Sequence, residues 1–114
     1  MSAWPNHQPP YDFLSELSKS LGYICAFTND RLIGFINIAW DGGKHAFLLD
    51  TTVHKEFQRK GIGTQLVHKA SNLAKSNNVE WFHVDYEPGL ANFYTKAGFK
   101  PTEAGLLNLK KLTQ

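Results

Sequence analysis

The sequence predicts a mixed α/β (α+β) domain, and three observations carry that prediction. Two β-rich runs stand on either side of the turn pair Asn29-Asp30. The apolar run "HAFLLDTTV" leads directly into a helix-patterned stretch, and a second strand-then-helix pair, "VEWFHVDY" followed by "ANFYTKAGF", comes after it. Strand, helix and strand in that alternation imply a parallel pair with a right-handed crossover.

The elements can be justified in order. "PNHQPP" reads as a lead-in, with residues 1–11 expected to be flexible. In "YDFLSELSKSLG", Phe13, Leu14, Leu17 and Leu21 fall at helical spacing and Gly22 closes the pattern. "YICAFTNDRLIGFINIAWDGG" reads as a hairpin closed by Asp41-Gly42-Gly43. "HAFLLDTTV" is apolar enough to be expected as a strand covered on both faces. From Ile62, a stripe of Ile62, Leu66, Ala70, Leu73 and Ala74 opposes Gln65, His68, Lys69, Asn72 and Lys75, which predicts a helix over Ile62 to Lys75. "VEWFHVDY" is the next strand, and Leu90, Phe93, Tyr94 and Ala97 define a helix stopped at Gly98. "GLLNLKKL" is the last strand candidate.

Length and composition bound the function. A chain of 114 residues with 42% apolar and 13% aromatic residues is expected to be one domain, 1–114, that buries about two thirds of its unfolded surface. Uncharged stretches such as Leu32 to Trp40 are too short to span a bilayer, and no signal peptide is visible, so a cytoplasmic protein with no membrane partner is expected. The single cysteine, Cys25, excludes an internal disulfide, and its setting in "YICAF" reads as a buried thiol. A net charge of +2 is too weak to predict a nucleic-acid binder. Five histidines show no metal-ligand spacing and no HExxH, so no metal is expected. No Gly-x-Ser-x-Gly elbow is present for a serine hydrolase.

The chemistry concentrates in "QRKGIG", Gln58 to Gly63, at the mouth of the long helix. The first amides of a helix have no internal partner, and the helix dipole adds positive charge there. Glycine permits a left-handed backbone and a close ligand approach, so Gly61-x-Gly63 can wrap a phosphate in main-chain donors, with Arg59 and Lys60 adding charge. A tight turn with close helix packing is the competing reading of the same glycines. A P-loop requires lysine after the glycines, and here Lys60 precedes them; the dinucleotide fingerprint requires a third glycine where Leu66 stands.

Gln58-Arg59-Lys60-Gly61-Ile62-Gly63 matches the Gln/Arg-x-x-Gly-x-Gly/Ala signature of the GNAT superfamily of N-acetyltransferases. "ANFYTKAGFKPT", Ala91 to Thr102, is similar to that family's FY-x-x-x-GF helix. The resemblance covers Tyr23 to the C-terminus. It implies a mixed, mostly antiparallel sheet with a central pair of parallel strands that splay apart, flanked by helices. It further implies acetyl-CoA as cosubstrate, with its pantetheine arm along Thr51, Thr52 and Val53. The pyrophosphate would lie on Arg59, Lys60, Gly61, Ile62, Gly63 and Thr64. Tyr94 stands where many members hold a tyrosine that protonates the departing thiolate. A phenol, with a reference pKa of about 10, can hold a proton that a thiolate of pKa about 8.5 accepts.

The activity implied is transfer of acetyl to an amine, small-molecule or peptide, by direct attack in a ternary complex. The alternative is a non-catalytic CoA-binding or regulatory module. Asp50, His54, His83, Asp85 and Glu87 lie near the motif strands, and none is singled out as a general base. Two departures from the family stand out. Glu87 replaces an asparagine that often precedes the tyrosine by seven residues, and only about twenty residues precede Tyr23 where the family usually has a strand and two helices. The second departure leads to the expectation that the acceptor wall is incomplete, which leaves room for a homodimer.

Overall fold

The computed structural model describes residues 20–111. The expected helix over Phe13–Leu21 and the lead-in at 1–11 lie largely outside the described residues, but Leu21 and Gly22 do not end a helix. They belong to β1, Ser20–Thr28, which pairs antiparallel with β2, Arg31–Trp40. Asn29 and Asp30 both take positive φ, 48° and 66°, as a two-residue hairpin turn requires when its twist must match the strands.

β2 then pairs antiparallel with β3, His45–Val53. The turn between them is closed by Asp41, whose Oδ1 accepts from the Gly43 amide at 2.7 Å and the His45 amide at 3.3 Å. β3 pairs parallel with β4, Trp81–His83, so the sheet order is β1-β2-β3-β4. The long helix, α1, spans Ile62–Ser76. Of its predicted stripe Leu66, Ala70 and Ala74 are buried and Ile62 and Leu73 half-buried; Val67, outside that stripe, joins the buried face, and Gln65, His68, Lys69, Asn72 and Lys75 are exposed as expected.

α1 covers one face of the sheet. Its inward residues meet Ile36, Ile38, Ala46 and Leu48 in the core, and fully burying a side chain such as Ile36, Ile38 or Val67 is worth about 1.5–3 kcal/mol. Gly34 makes the close approach feasible. A Cβ there would stand 3.2 Å from Leu66 Cδ1 and 3.3 Å from both Ala26 Cβ and Ile62 Cγ2.

Three strand expectations need correction. β3 is not covered on both faces: Ala46 and Leu48 are buried, but Phe47 and Leu49 are each 40% exposed. The run "VEWFHVDY" forms a ladder only over Trp81–His83. "GLLNLKKL" is not a strand. Asn108 captures the local backbone instead, its Oδ1 accepting from the Lys110 amide at 2.9 Å and its carbonyl from Lys111 at 3.1 Å. Such side-chain-to-backbone bonds compete with ladder formation, and Leu106, Leu107 and Leu109 stay exposed.

The chain divides into two compact units, one running to Val84 and one starting at Asp85. In the second, a 3-10 turn at Pro88–Leu90 leads into the short helix α2, Ala91–Lys96. Gly98, at φ 105°, ends it: its amide bonds Thr95 O at 3.0 Å and the Phe99 amide bonds Tyr94 O at 3.0 Å, the paired bonds of a Schellman close. Asn78, at φ 65°, closes α1 in the same way.

Candidate functional site

The site begins at an irregularity in β3. Asn37 pairs with Leu49 and Phe35 with Thr52, so Ile36 alone on β2 faces both Asp50 and Thr51 on β3. That is a β-bulge, and Asp50 takes the left-handed φ of 58° that lets the extra residue be absorbed. The ladder to β4 covers only His45, Ala46 and Phe47, before the bulge. From Leu48 to Val53, β3 continues beside β2 with no β4 partner. A parallel pair joined at one end and unpaired at the other is what the expected splay requires.

At the bulge Thr52 Oγ1 donates to Asp50 O at 3.1 Å. The neighbouring hydroxyl, Thr51 Oγ1, is buried without a hydrogen-bond partner. Buried hydroxyls are rarely left so, and one at the open end of a strand pair marks a place where a polar group fits.

Past Val53 the chain is fastened to the sheet and then turned. The His54 amide bonds Ile33 O at 2.7 Å, and a 3-10 turn follows at Lys55–Phe57. His54 Nδ1 accepts from the Glu56 amide at 3.2 Å, while its Nε2 lies 2.8 Å from an Arg31 guanidinium nitrogen. Arg31 also pairs with Glu56 at 3.5 Å and sits 5.8 Å from the Phe57 ring centroid, and Lys60 Nζ lies 5.6 Å from the same ring. Gln58 Nε2 donates back to Val53 O at 3.0 Å.

The turn itself uses two left-handed residues, Arg59 at φ 66° and Gly61 at φ 82°. Left-handed backbone in a non-glycine residue is uncommon, and its presence beside a helix mouth fits a conformation kept for a purpose. Gly61 is the N-cap of α1. It offers no side-chain cap, the first turn contains no acidic residue, and the first helical bond runs from the Gln65 amide to Gly61 O at 3.1 Å. The amides of Ile62, Gly63 and Thr64 therefore have no partner within the helix. A Cβ on Gly61 would meet nothing within 4 Å, so space lies open above it.

The structure thus brings Thr51, Thr52, Val53, Arg59, Lys60, Gly61, Ile62, Gly63 and Thr64 into one continuous strand, turn and helix start. Tyr94 lies in the second unit, 5% exposed, stacked on Tyr86 at 5.0 Å and edge-on to Phe93 and Phe99. Of the base candidates, Asp50 and Asp85 are exposed, His54 is engaged by Arg31, and His83 is engaged by His45. Cys25 is half-buried, less enclosed than the buried thiol the sequence suggested, and that partial burial pushes its thiol pKa up. What sequence reasoning missed is the bulge at Asp50-Thr51. Neither residue type announces it, and only the cross-strand register exposes the extra residue.

A family model described as acetyltransferase (GNAT) family matches residues 1–99. The chain belongs to the GNAT acetyltransferase family. A protein named N-acetyltransferase ycf52 from Pyropia yezoensis is 30% identical over 71 residues, 62% of this chain and 41% of that one. The chain spans less than half the length of the curated relatives it matches. A Staphylococcus aureus structure described as a probable acetyltransferase superposes with a TM-score of 0.73 at 25% identity, covering 90% of this chain and 81% of the other. AAC(6')-Iy, solved with a bisubstrate analogue built on CoA, shares the fold at a TM-score of 0.73 and 20% identity, over 95% of this chain and 84% of that one. The mixed sheet with its parallel β3–β4 pair is thus a GNAT fold. Among the described residues no helix is long and apolar enough to cross a membrane.

Proposed function

We propose that this chain binds acetyl-CoA and transfers the acetyl group to an amine, by direct attack with donor and acceptor bound together. The observation that carries the reading is the uncapped, acid-free start of α1 at left-handed Gly61, immediately beyond a strand whose last residues lack a β4 partner. The amides of Ile62, Gly63 and Thr64, with the side chains of Arg59 and Lys60, would hold a pyrophosphate. Backbone groups of Thr51, Thr52 and Val53 would pair with amides of the pantetheine arm. The orphaned Thr51 hydroxyl is a polar partner suited to that arm.

Acetyl-CoA supplies an activated thioester. This chain's residues fix it, shield it and manage protons. Tyr94 is assigned the role of proton donor to the departing sulfur on the strength of the family motif; its burial among Tyr86, Phe93 and Phe99 fixes the ring. The acceptor is read only as an amine, a small molecule or a peptide, and a cytoplasmic, homodimeric protein is the setting this reading assumes.

The test is Gly63→Glu, which puts a side chain and a negative charge into the first turn. Acetyl-CoA binding by calorimetry should be abolished while the far-UV circular dichroism is kept. Unchanged affinity in a folded variant overturns the reading. Incubation of the unmodified protein with acetyl-CoA and a panel of amines should release CoA; tight binding with no release across the panel would instead mark a CoA-binding module.

A further inference from the structure

We propose that His45 and His83 form a chelating pair for a tetragonal divalent transition-metal ion, copper(II) or nickel(II), on the solvent side of the β3–β4 ladder. The pair is separate from the acetyl-CoA site proposed above and does not rest on it. His45 Nδ1 and His83 Nε2 stand 2.9 Å apart, both side chains exposed. The residues are 38 apart in sequence and meet only because the parallel register sets His45 opposite Trp81 and Phe47 opposite His83, on one face of the sheet.

The separation bears on which ion fits. Two nitrogens at about 2.0 Å from one metal with a cis angle near 90° are about 2.8 Å apart, whereas a tetrahedral angle spreads them to about 3.3 Å. The observed 2.9 Å is the length of an N–H···N hydrogen bond between the rings, and that bond already holds the two nitrogens at about the spacing the square arrangement needs. Copper(II) also stands at the top of the affinity order for nitrogen sites.

The rings are held before any ion arrives. Phe47 stacks on the His83 ring at 4.6 Å and 20°, and the two imidazoles face each other at 5.1 Å. Asp41 closes the adjoining turn through the His45 amide at 3.3 Å, which keeps a carboxylate near and favours a cation. In the metal-free pair one of the facing nitrogens carries a proton. On binding, that proton moves to the other nitrogen of the same ring, so both facing lone pairs reach the ion and neither neutral ring needs to lose a proton. No group of three potential ligands exists among the described residues, so the remaining positions fall to water.

A bound ion would join β3 to β4 at the end where their three-residue ladder is formed. Copper(II) chloride titrated calorimetrically into the full chain should bind with one equivalent, and its electron paramagnetic resonance spectrum should show two equatorial imidazole nitrogens. His45→Gln and His83→Gln should each weaken binding roughly tenfold or more. His68→Gln, on the exposed face of α1, should bind as the unmodified protein does. Wild-type affinity in both pair variants, or a spectrum without imidazole nitrogens, overturns the proposal. Should a variant misfold, amide spectra of the unmodified protein decide instead. Substoichiometric copper(II) should bleach His45, Phe47 and His83 first, and first bleaching elsewhere refutes the site.

Discussion

The side-chain amide of Gln58 donates to the main-chain carbonyl of Val53 at 3.0 Å, tying the last residue of β3 to the turn that opens α1. Strand end and helix mouth are thereby held as one unit, and the bond spans five residues that include the 3-10 turn. Gln58→Ala removes one hydrogen bond, worth about 0.5–1.5 kcal/mol. Under the proposed function acetyl-CoA affinity should fall by about three- to tenfold, with the melting temperature lowered by several degrees. A calorimetric titration beside a thermal melt checks both, and a variant that loses stability but no affinity contradicts the positioning role.

Gly61 is constrained by its backbone and not by its surroundings. At φ 82° with nothing within 4 Å of an added Cβ, a substitution meets strain but no clash. Gly61→Ala should lower stability by about 1 kcal/mol and Gly61→Asn by less, since asparagine tolerates left-handed backbone better. Urea unfolding measures the order. Equal stability of Gly61→Ala and the unmodified protein would mean the turn rearranges freely.

Tyr94→Phe keeps the ring stacked on Tyr86 and removes only the hydroxyl. As a proton donor, its loss should lower kcat about 100-fold with KM for acetyl-CoA nearly unchanged. Steady-state kinetics with an accepted amine decide the matter. Full turnover in the variant would leave Tyr94 as a packing residue alone.

Asp41 carries a pH prediction with a definite sign. The hydrogen bond from the Gly43 amide is the largest influence and lowers its pKa below the ordinary 3.8; desolvation opposes it, and the His45 amide and charge on His45 add smaller lowering effects. A group lowered in the fold contributes its stabilisation above the unfolded value and loses it as pH falls through the folded one. Amide protection factors at Gly43 and His45, taken relative to the intrinsic exchange rate at each pH, should therefore be high at pH 5 and fall as the pH drops below about 3.8. Asp41→Ala should show low protection factors at both. Protection that is independent of pH in the unmodified protein would contradict this.

Local patterns made much of this legible in the sequence. The hairpin turn at Asn29-Asp30, the face of α1 and the Gly98 stop are each set by residues a few positions apart, which is the range over which periodicity and turn chemistry act. The glycine turn was legible for the same reason. What escaped depends on pairing between distant segments. The shortness of β4, the exposure of Phe47 and Leu49, and the meeting of His45 with His83 all follow from register, which no local window contains. "GLLNLKKL" reads as a strand candidate, but the Asn108 turn supplies a nearer partner for its backbone than any ladder does.

The bulge at Asp50-Thr51 also shifts the numbering of the strand's inward face. Before it, even-numbered Ala46 and Leu48 face α1; after it, odd-numbered Val53 does, opposite Gly34. Exchanging the side chain of Asp50 leaves that face intact. Deleting the residue would leave it intact too: Thr51 would face Ile36 in regular step and Val53 would still stand opposite Gly34. What the extra residue adds is a local bend in β3 just beyond the end of its ladder with β4, held by a left-handed backbone at Asp50.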